Sequence, residues 1–182
     1  MALRFTTSYL EDSTDLFRKY KKMAEAAMAQ LTEEQLYATL DDGMNSVAQL
    51  AKHISGNMRS RWTDFLTTDG EKPDRDRDSE FVDPPATRAA LMENWEAGWA
   101  IMFAALEPLT DVDLGRTITI RGEEHSVLQA INRQLTHYAG HVAQIVFLAK
   151  HLAGKNWKAL TVPKGKSAEF NARVAAGEVS QG

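Results

Sequence analysis

The chain contains no cysteine. That excludes disulfides, thiolate zinc sites and a cysteine nucleophile, and leaves histidine and carboxylate as the side chains able to hold a metal ion. Positive charge is also short: 25 acidic residues outweigh 21 lysines and arginines, for a net charge of −4. The chain as a whole therefore has no electrostatic attraction for nucleic acid or for an anionic membrane. No apolar run approaches the ~18 residues of a membrane span. The stretch MALRFTTSYLEDSTDLF meets acidic side chains early and has no continuous apolar core, so it does not read as a signal peptide. A cytoplasmic protein is the default expectation. Glycine (11) and proline (5) are few and fall mostly between periodic segments, which favours helices.

The rest is an ordinary globular composition. The 182 residues, 43% hydrophobic and 25% charged, suit one domain with one core. We expect residues 1–165 to form that domain and 166–182 to be a tail. Four long segments show helical periodicity. The first runs from about Ser8 to Leu31, with Leu10, Phe17, Ala24 and Leu31 seven apart. The second runs from about Asn45 to Leu66, with Val47, Leu50, Ile54, Met58 and Phe65 as its stripe. For the third, Asp83 is placed to cap and Pro84 to take the first helical position, ahead of Leu91, Trp95, Met102 and Leu106. The fourth opens with Ser126-Val-Leu-Gln129, the pattern of a capping box, and is expected to end at Gly154.

The connectors add to this. Residues 67–83 form a polar crossover of ~17 residues, a length that in a compact domain usually spans it or carries function. Fully extended it reaches up to ~56 Å, against ~32 Å for a helix of ~21 residues. It is long enough to return along the whole bundle and let the second and third helices run parallel. Arg116 to Ile120 alternates polar with apolar residues, and Arg121-Gly122 supplies a turn, which together predict a small β-hairpin before the fourth helix. The segment after Lys155 has scattered apolar residues (Trp157, Leu160, Val162, Phe170) and no sustained period. We expect an extended arm up to about Phe170 and fraying beyond.

Chemistry is carried by histidine. His137 and His141 stand four apart in the strongest helix, so both imidazoles leave one face a turn apart, the spacing by which a helix offers two nitrogens to one ion. The segment is HYAGH, without the glutamate of an HExxH metalloprotease. His53, beside Leu50 and Ile54 on the second helix, can face them. A lone histidine in such a place is more often a hydrogen-bonded core residue than a ligand. Three inward imidazoles on two facing helices would need several separate hydrogen-bond partners in one core, whereas one divalent ion satisfies them together. His125 and His151 lie ~18 Å and ~15 Å along the helix from the pair and read as surface or hairpin residues.

With one histidine early in the second helix and an HxxxH pair in the fourth, the sequence resembles the DinB-like, or YfiT-like, metal-binding four-helix bundles. The stretches VAQLAKHISGNMRSRWTDFLTTDGEKP and TITIRGEEHSVLQAINRQLTHYAGHVAQIVFLAKHLAGKNWKAL are similar to an uncharacterised bacterial branch of them, and the resemblance covers about residues 5–162. It implies an all-α, up-down-down-up bundle with its long crossover between helices two and three. It also implies a divalent ion, zinc or nickel, on His53, His137 and His141, and a homodimer. Relatives with known chemistry use low-molecular-weight thiols: bacillithiol transferases and mycothiol-dependent isomerases. Their thiol-binding residues have no clear match here.

Three neutral nitrogens leave coordination positions open, as in catalytic zinc sites. The preferred functional reading is a metal-dependent enzyme acting on a small molecule, as a thiol S-transferase or a hydrolase. Asn57 and Arg61, extending from the His53 face, and Arg133, one turn before His137, are candidates to orient an anionic substrate. The plainer reading of these arginines, and the preferred one, pairs them with crossover acids such as Asp74, Asp76 or Asp78. The second functional hypothesis is a metal-stabilised bundle without turnover, a binding or stress-response module.

Overall fold

The computed structural model describes residues 7–179. It is mostly helical, with six α-helices and one two-stranded antiparallel hairpin. Four helices are long: α1 (Tyr9–Met28), α3 (Val47–Trp62), α4 (Arg88–Leu106) and α5 (Val127–Ala153). Two are short: α2 (Glu33–Tyr37), which the periodicity did not predict, and α6 (Ser167–Ala175). No helix among the described residues is long and apolar enough to cross a membrane.

Local chemistry sets the boundaries. Ser8, Thr32, Ser46 and Ser126 each accept the amide three residues on, while Glu11, Gln35, Gln49 and Gln129 return the bond to the cap's own amide. These four reciprocal boxes start α1, α2, α3 and α5 by satisfying amides that have no partner within the helix. The box at Thr32 explains why α1 stops at Met28 rather than Leu31: the chain turns to begin another helix. α4 departs from expectation. Asp83 takes a positive φ of 43° and caps nothing, because Pro85 disfavours the helical conformation at Pro84. Thr87 caps instead, accepting from the Ala90 amide at 3.2 Å. α5 ends as expected against Gly154, whose φ is +55°.

The hairpin pairs β1 (Thr117–Ile120) with β2 (Glu123–Ser126), Ile120 opposite Glu123. Arg121 and Gly122 both have positive φ, as a two-residue turn matched to strand twist requires. The tail departs from the extended arm: Trp157 and Leu160 pack on the core, but residues from Ser167 form α6, which buries nothing. Its three alanines carry helix propensity, but with only Phe170 and Val174 as larger apolar residues there is no sustained period to reveal it. The fraying expected at the extreme end falls partly on residues 180–182, outside those described.

α3 packs chiefly on α4, α1 on α5, and α3 also meets α5. The α3–α4 contact is close because Gly98 has no side chain; a Cβ there would stand 3.0 Å from Ser55 Cα. Phe17, Trp62, Trp99 and Tyr138, from all four long helices, form an aromatic cluster at the centre. Inside it the Trp62 indole N–H donates to the Tyr138 hydroxyl at 3.1 Å, which donates to Asn57 Oδ1 at 3.0 Å.

The crossover runs back along α3. Ser60 Oγ and Arg61 donate to Gly70 O near the end of that helix. A 3-10 turn, Asp78–Phe81, lies farther back, where Gln49 and Lys52 donate to the carbonyls of Phe81 and Ser79 at 2.7 and 2.6 Å. This return carries acidic residues of the connector to the histidine face of α3.

Candidate metal centre

α3 and α5 bring His53, His137 and His141 together. His137 Nε2 lies 3.3 Å from His53 Nε2 and 3.1 Å from His141 Nε2, and one nitrogen from each ring falls within 4.8 Å of the others. Two imidazole nitrogens each ~2.0–2.1 Å from one tetrahedral ion would lie about 3.3–3.4 Å apart, so His137 stands from each of the other two rings at close to the separation a shared ion requires. His53 is buried and the other two are half-buried. His125 and His151 stay outside: His125 is on β2 against Glu123 O, and His151 is exposed.

The tautomers suit ligation. His53 Nδ1–H donates at 2.8 Å to Glu80 Oε2, brought in by the 3-10 turn. Burial pushes the Glu80 carboxyl up, but the hydrogen bonds from His53 and Arg75 outweigh it and hold the group below its ordinary pKa. It is an acceptor only, so Nδ1 carries a proton and Nε2 is the nitrogen turned to the other histidines. His141 makes the same arrangement with Gln144 Oε1 at 2.9 Å. Such partners fix ring orientation and raise ligand basicity. His137 Nδ1 is buried with no hydrogen-bond partner among the described residues. Burial, then the charges of His141 and His53, push its pKa down to about 3, so this ring stays uncharged, as a ligand must be.

Glu80 was not singled out in the sequence, where it is one acid among several in the connector. One signal pointed to it: Phe81-Val82 is the only adjacent apolar pair between residues 67 and 83. Phe81 stacks on His53, centroids 4.3 Å apart. Arg75 grips Glu80 through Nε–Oε1 at 2.7 Å and a second nitrogen to Oε2 at 2.9 Å. It also reaches Glu71 Oε2 at 3.0 Å.

Beside the histidines opens a pocket of about 420 Å³, with His53 and His137 in its wall. Asn57, Arg61 and Arg133 all line it, so the structure brings the three together. Arg61 is already engaged with Glu71 at 2.7 Å and with Gly70 O. An acid of the crossover therefore does hold Arg61, although it is Glu71 and not Asp74, Asp76 or Asp78. Arg133 makes no ion pair among the described residues. A larger cavity of about 990 Å³ between α1 and the end of α4 touches none of the histidines, and the chemistry favours the smaller one.

Fold and site thus define a mostly helical protein with a three-histidine group that could hold a metal ion. The chain matches the family described as "Protein of unknown function (DUF1572)" over residues 4–166 and belongs to it. No curated protein matches it.

Proposed function

We propose that the chain is a divalent-metal protein of the DinB-like four-helix-bundle superfamily, and that it acts as a metal-dependent enzyme on a small molecule. The matched family is itself of DinB-like fold, which supports an up-down-down-up arrangement of the long helices with the 67–83 connector as its crossover. The observation that carries the functional reading is the convergence of three imidazole nitrogens beside a pocket, with no fourth protein ligand in the group among the described residues. A closed, purely structural site would complete its shell with protein atoms.

His53, His137 and His141 would hold the ion, zinc or nickel as the DinB-like resemblance implies, since three imidazoles by themselves suit copper or iron as well. A divalent ion on three neutral ligands keeps its full charge and supplies Lewis acidity to a water or a thiol, the chemistry of a hydrolase or a thiol S-transferase. The chain's own residues do the rest. Glu80 and Gln144 orient two of the ligand rings. Asn57, whose Oδ1 accepts from Tyr138, lines the pocket with Arg61 and Arg133, and the three are the candidate substrate-orienting groups. The same reading carries a small-molecule substrate, a low-molecular-weight thiol as co-substrate and a homodimer.

Metal analysis of protein purified without chelator, beside His53→Ala, tests the centre: about one ion per chain, lost in the variant, is expected. Unchanged content in the variant sinks it. Metal-loaded protein is then offered several small thiols with electrophiles, and a set of esters and amides. If none is turned over while His137→Ala only lowers the melting temperature, the enzyme reading falls and the metal-stabilised binding bundle replaces it. Light scattering reads the dimer.

A further inference from the structure

Five of the chain's eleven arginines line the pocket beside His53 and His137, and none of its ten lysines does. In a chain of net charge −4 this is a local reversal of sign, and carboxylates offset only part of it. One oxygen, Glu71 Oε2, accepts from Arg61 at 2.7 Å, Arg75 at 3.0 Å and Arg121 at 3.2 Å. Glu80 is taken by Arg75 and His53. Arg77 and Arg133 are left without an ion pair among the described residues.

Both free arginines are nevertheless placed with respect to the histidines. The Arg77 guanidinium lies over the Phe81 ring at 5.3 Å, and Phe81 in turn stacks on His53. A stack, not a counter-ion, positions it, so its N–H donors remain available. Arg133 stands one helical turn before His137 on α5, on the same face. A planar guanidinium fork matches the oxygens of a carboxylate or phosphate two at a time, which the point charge of lysine does not. A lining of arginine alone therefore selects a planar or tetrahedral oxyanion over a merely negative surface, and the recessed positive wall concentrates such ions.

We infer that the pocket is an oxyanion site: the substrate carries a carboxylate or phosphate group, held by Arg77 and Arg133, while its other end faces His53 and His137. Arg61 and Arg75, engaged by Glu71 and Glu80, form the fixed part of the wall. This inference rests on the pocket being the substrate site of the proposed function, and it moves the anion-holding role from Arg61 to Arg77.

The test is calorimetric titration of the metal-loaded chain, in low-salt buffer, with inorganic phosphate and separately with succinate. Arg77→Gln, Arg133→Gln and the double variant are compared with Arg173→Gln, a control on α6. Binding of at least one anion is expected, weakened about tenfold or more in the double variant and unchanged in the control, with metal content equal throughout. Phosphate alone would mark a phosphorylated substrate and succinate alone a carboxylate. No binding of either anion at millimolar concentration overturns the inference, as does a double variant that binds like the parent, since the anion would then be held elsewhere. If the parent chain holds no ion, the proposed function fails separately, and the same titrations still report on the arginines.

Discussion

Glu80 accepts from His53 Nδ1 at 2.8 Å while Arg75 clasps the same carboxylate through two nitrogens. The arrangement turns His53 Nε2 toward His137 and His141. It also ties the His53 ring to the arginine-lined pocket through one buried ion pair. Removing the carboxylate in Glu80→Ala should weaken metal affinity about 10–100-fold, the usual loss for an outer partner of a metal-bound histidine. It should also cost about 3 kcal/mol of stability, by stripping a buried guanidinium of its main counter-charge. Glu80→Gln keeps an acceptor without the charge and should fall between. Competition with a chromophoric chelator measures the affinity, and urea melts the stability. If both variants bind metal like the parent, Glu80 does not position His53.

Metal should stabilise the fold by mass action. Free ion at a hundred times the dissociation constant adds about 2.7 kcal/mol, which for a chain of this size raises Tm by roughly 5–10 °C. The shift should be absent in His141→Ala, whose half-exposed ring can be truncated with little damage to the core. Differential scanning calorimetry with added zinc or nickel, then with chelator, reads it. An equal shift in variant and parent would place the ion elsewhere.

Much of this was legible in the sequence, for identifiable reasons. Ser126 with Gln129 gave the start of α5, and Arg121-Gly122 gave the hairpin turn, because each is a local arrangement with a local signature. The three histidines were readable because helical periodicity fixes which residues share a face. Thr32 with Gln35 carried the same signature as Ser126, but α2 is too short for a period to form. Glu80 depends on where a long connector comes to rest, 27 residues along the chain from His53, which no local rule determines. Asp83 and Pro84 misled because a second proline follows.

Two glycines in the long helices should respond oppositely to alanine. A Cβ on Gly140, between His137 and His141 on α5, meets nothing within 4 Å, so Gly140→Ala should gain about 0.5–1 kcal/mol from helix propensity. A Cβ on Gly98 would press on the Ser55 backbone at 3.0 Å. In Gly98→Ala a similar propensity gain meets an overpacking cost of about 1–3 kcal/mol, and Gly98→Val should lose clearly more. Because α3 carries His53 two residues from Ser55, the valine variant should also bind metal less tightly. Denaturant melts and metal titrations of the three variants check this. A stabilised Gly98→Val would show that the α3–α4 contact is not close-packed.

Asp69 joins the crossover to the hairpin, and this join should be sensitive to acid. Its Oδ1 accepts the amides of Glu71 at 2.7 Å and Arg121 at 2.8 Å, and Oδ2 accepts that of Gly122 at 2.8 Å. The Glu71 amide above all, with those of Gly122 and Arg121 overcoming slight burial, holds the carboxyl below its ordinary pKa of 3.8. The folded state thus prefers the ionised form, and between the two pKa values the unfolded chain binds more protons. The stability that follows is present above about pH 4 and is lost as pH falls through the lowered value. Other carboxylates titrate the same way, so the readable quantity is a difference between two proteins. Asp69→Asn keeps one acceptor oxygen and removes the charge, so its Tm should fall less steeply than the parent's from about pH 5 to pH 3. Its Arg121 and Gly122 amides should also exchange faster at neutral pH. Parallel pH profiles and unchanged exchange would mean that Asp69 does not hold the turn, leaving it to the β1–β2 pairing and the other crossover contacts, Gly70 N–H to Thr119 O and Arg121 to Glu71.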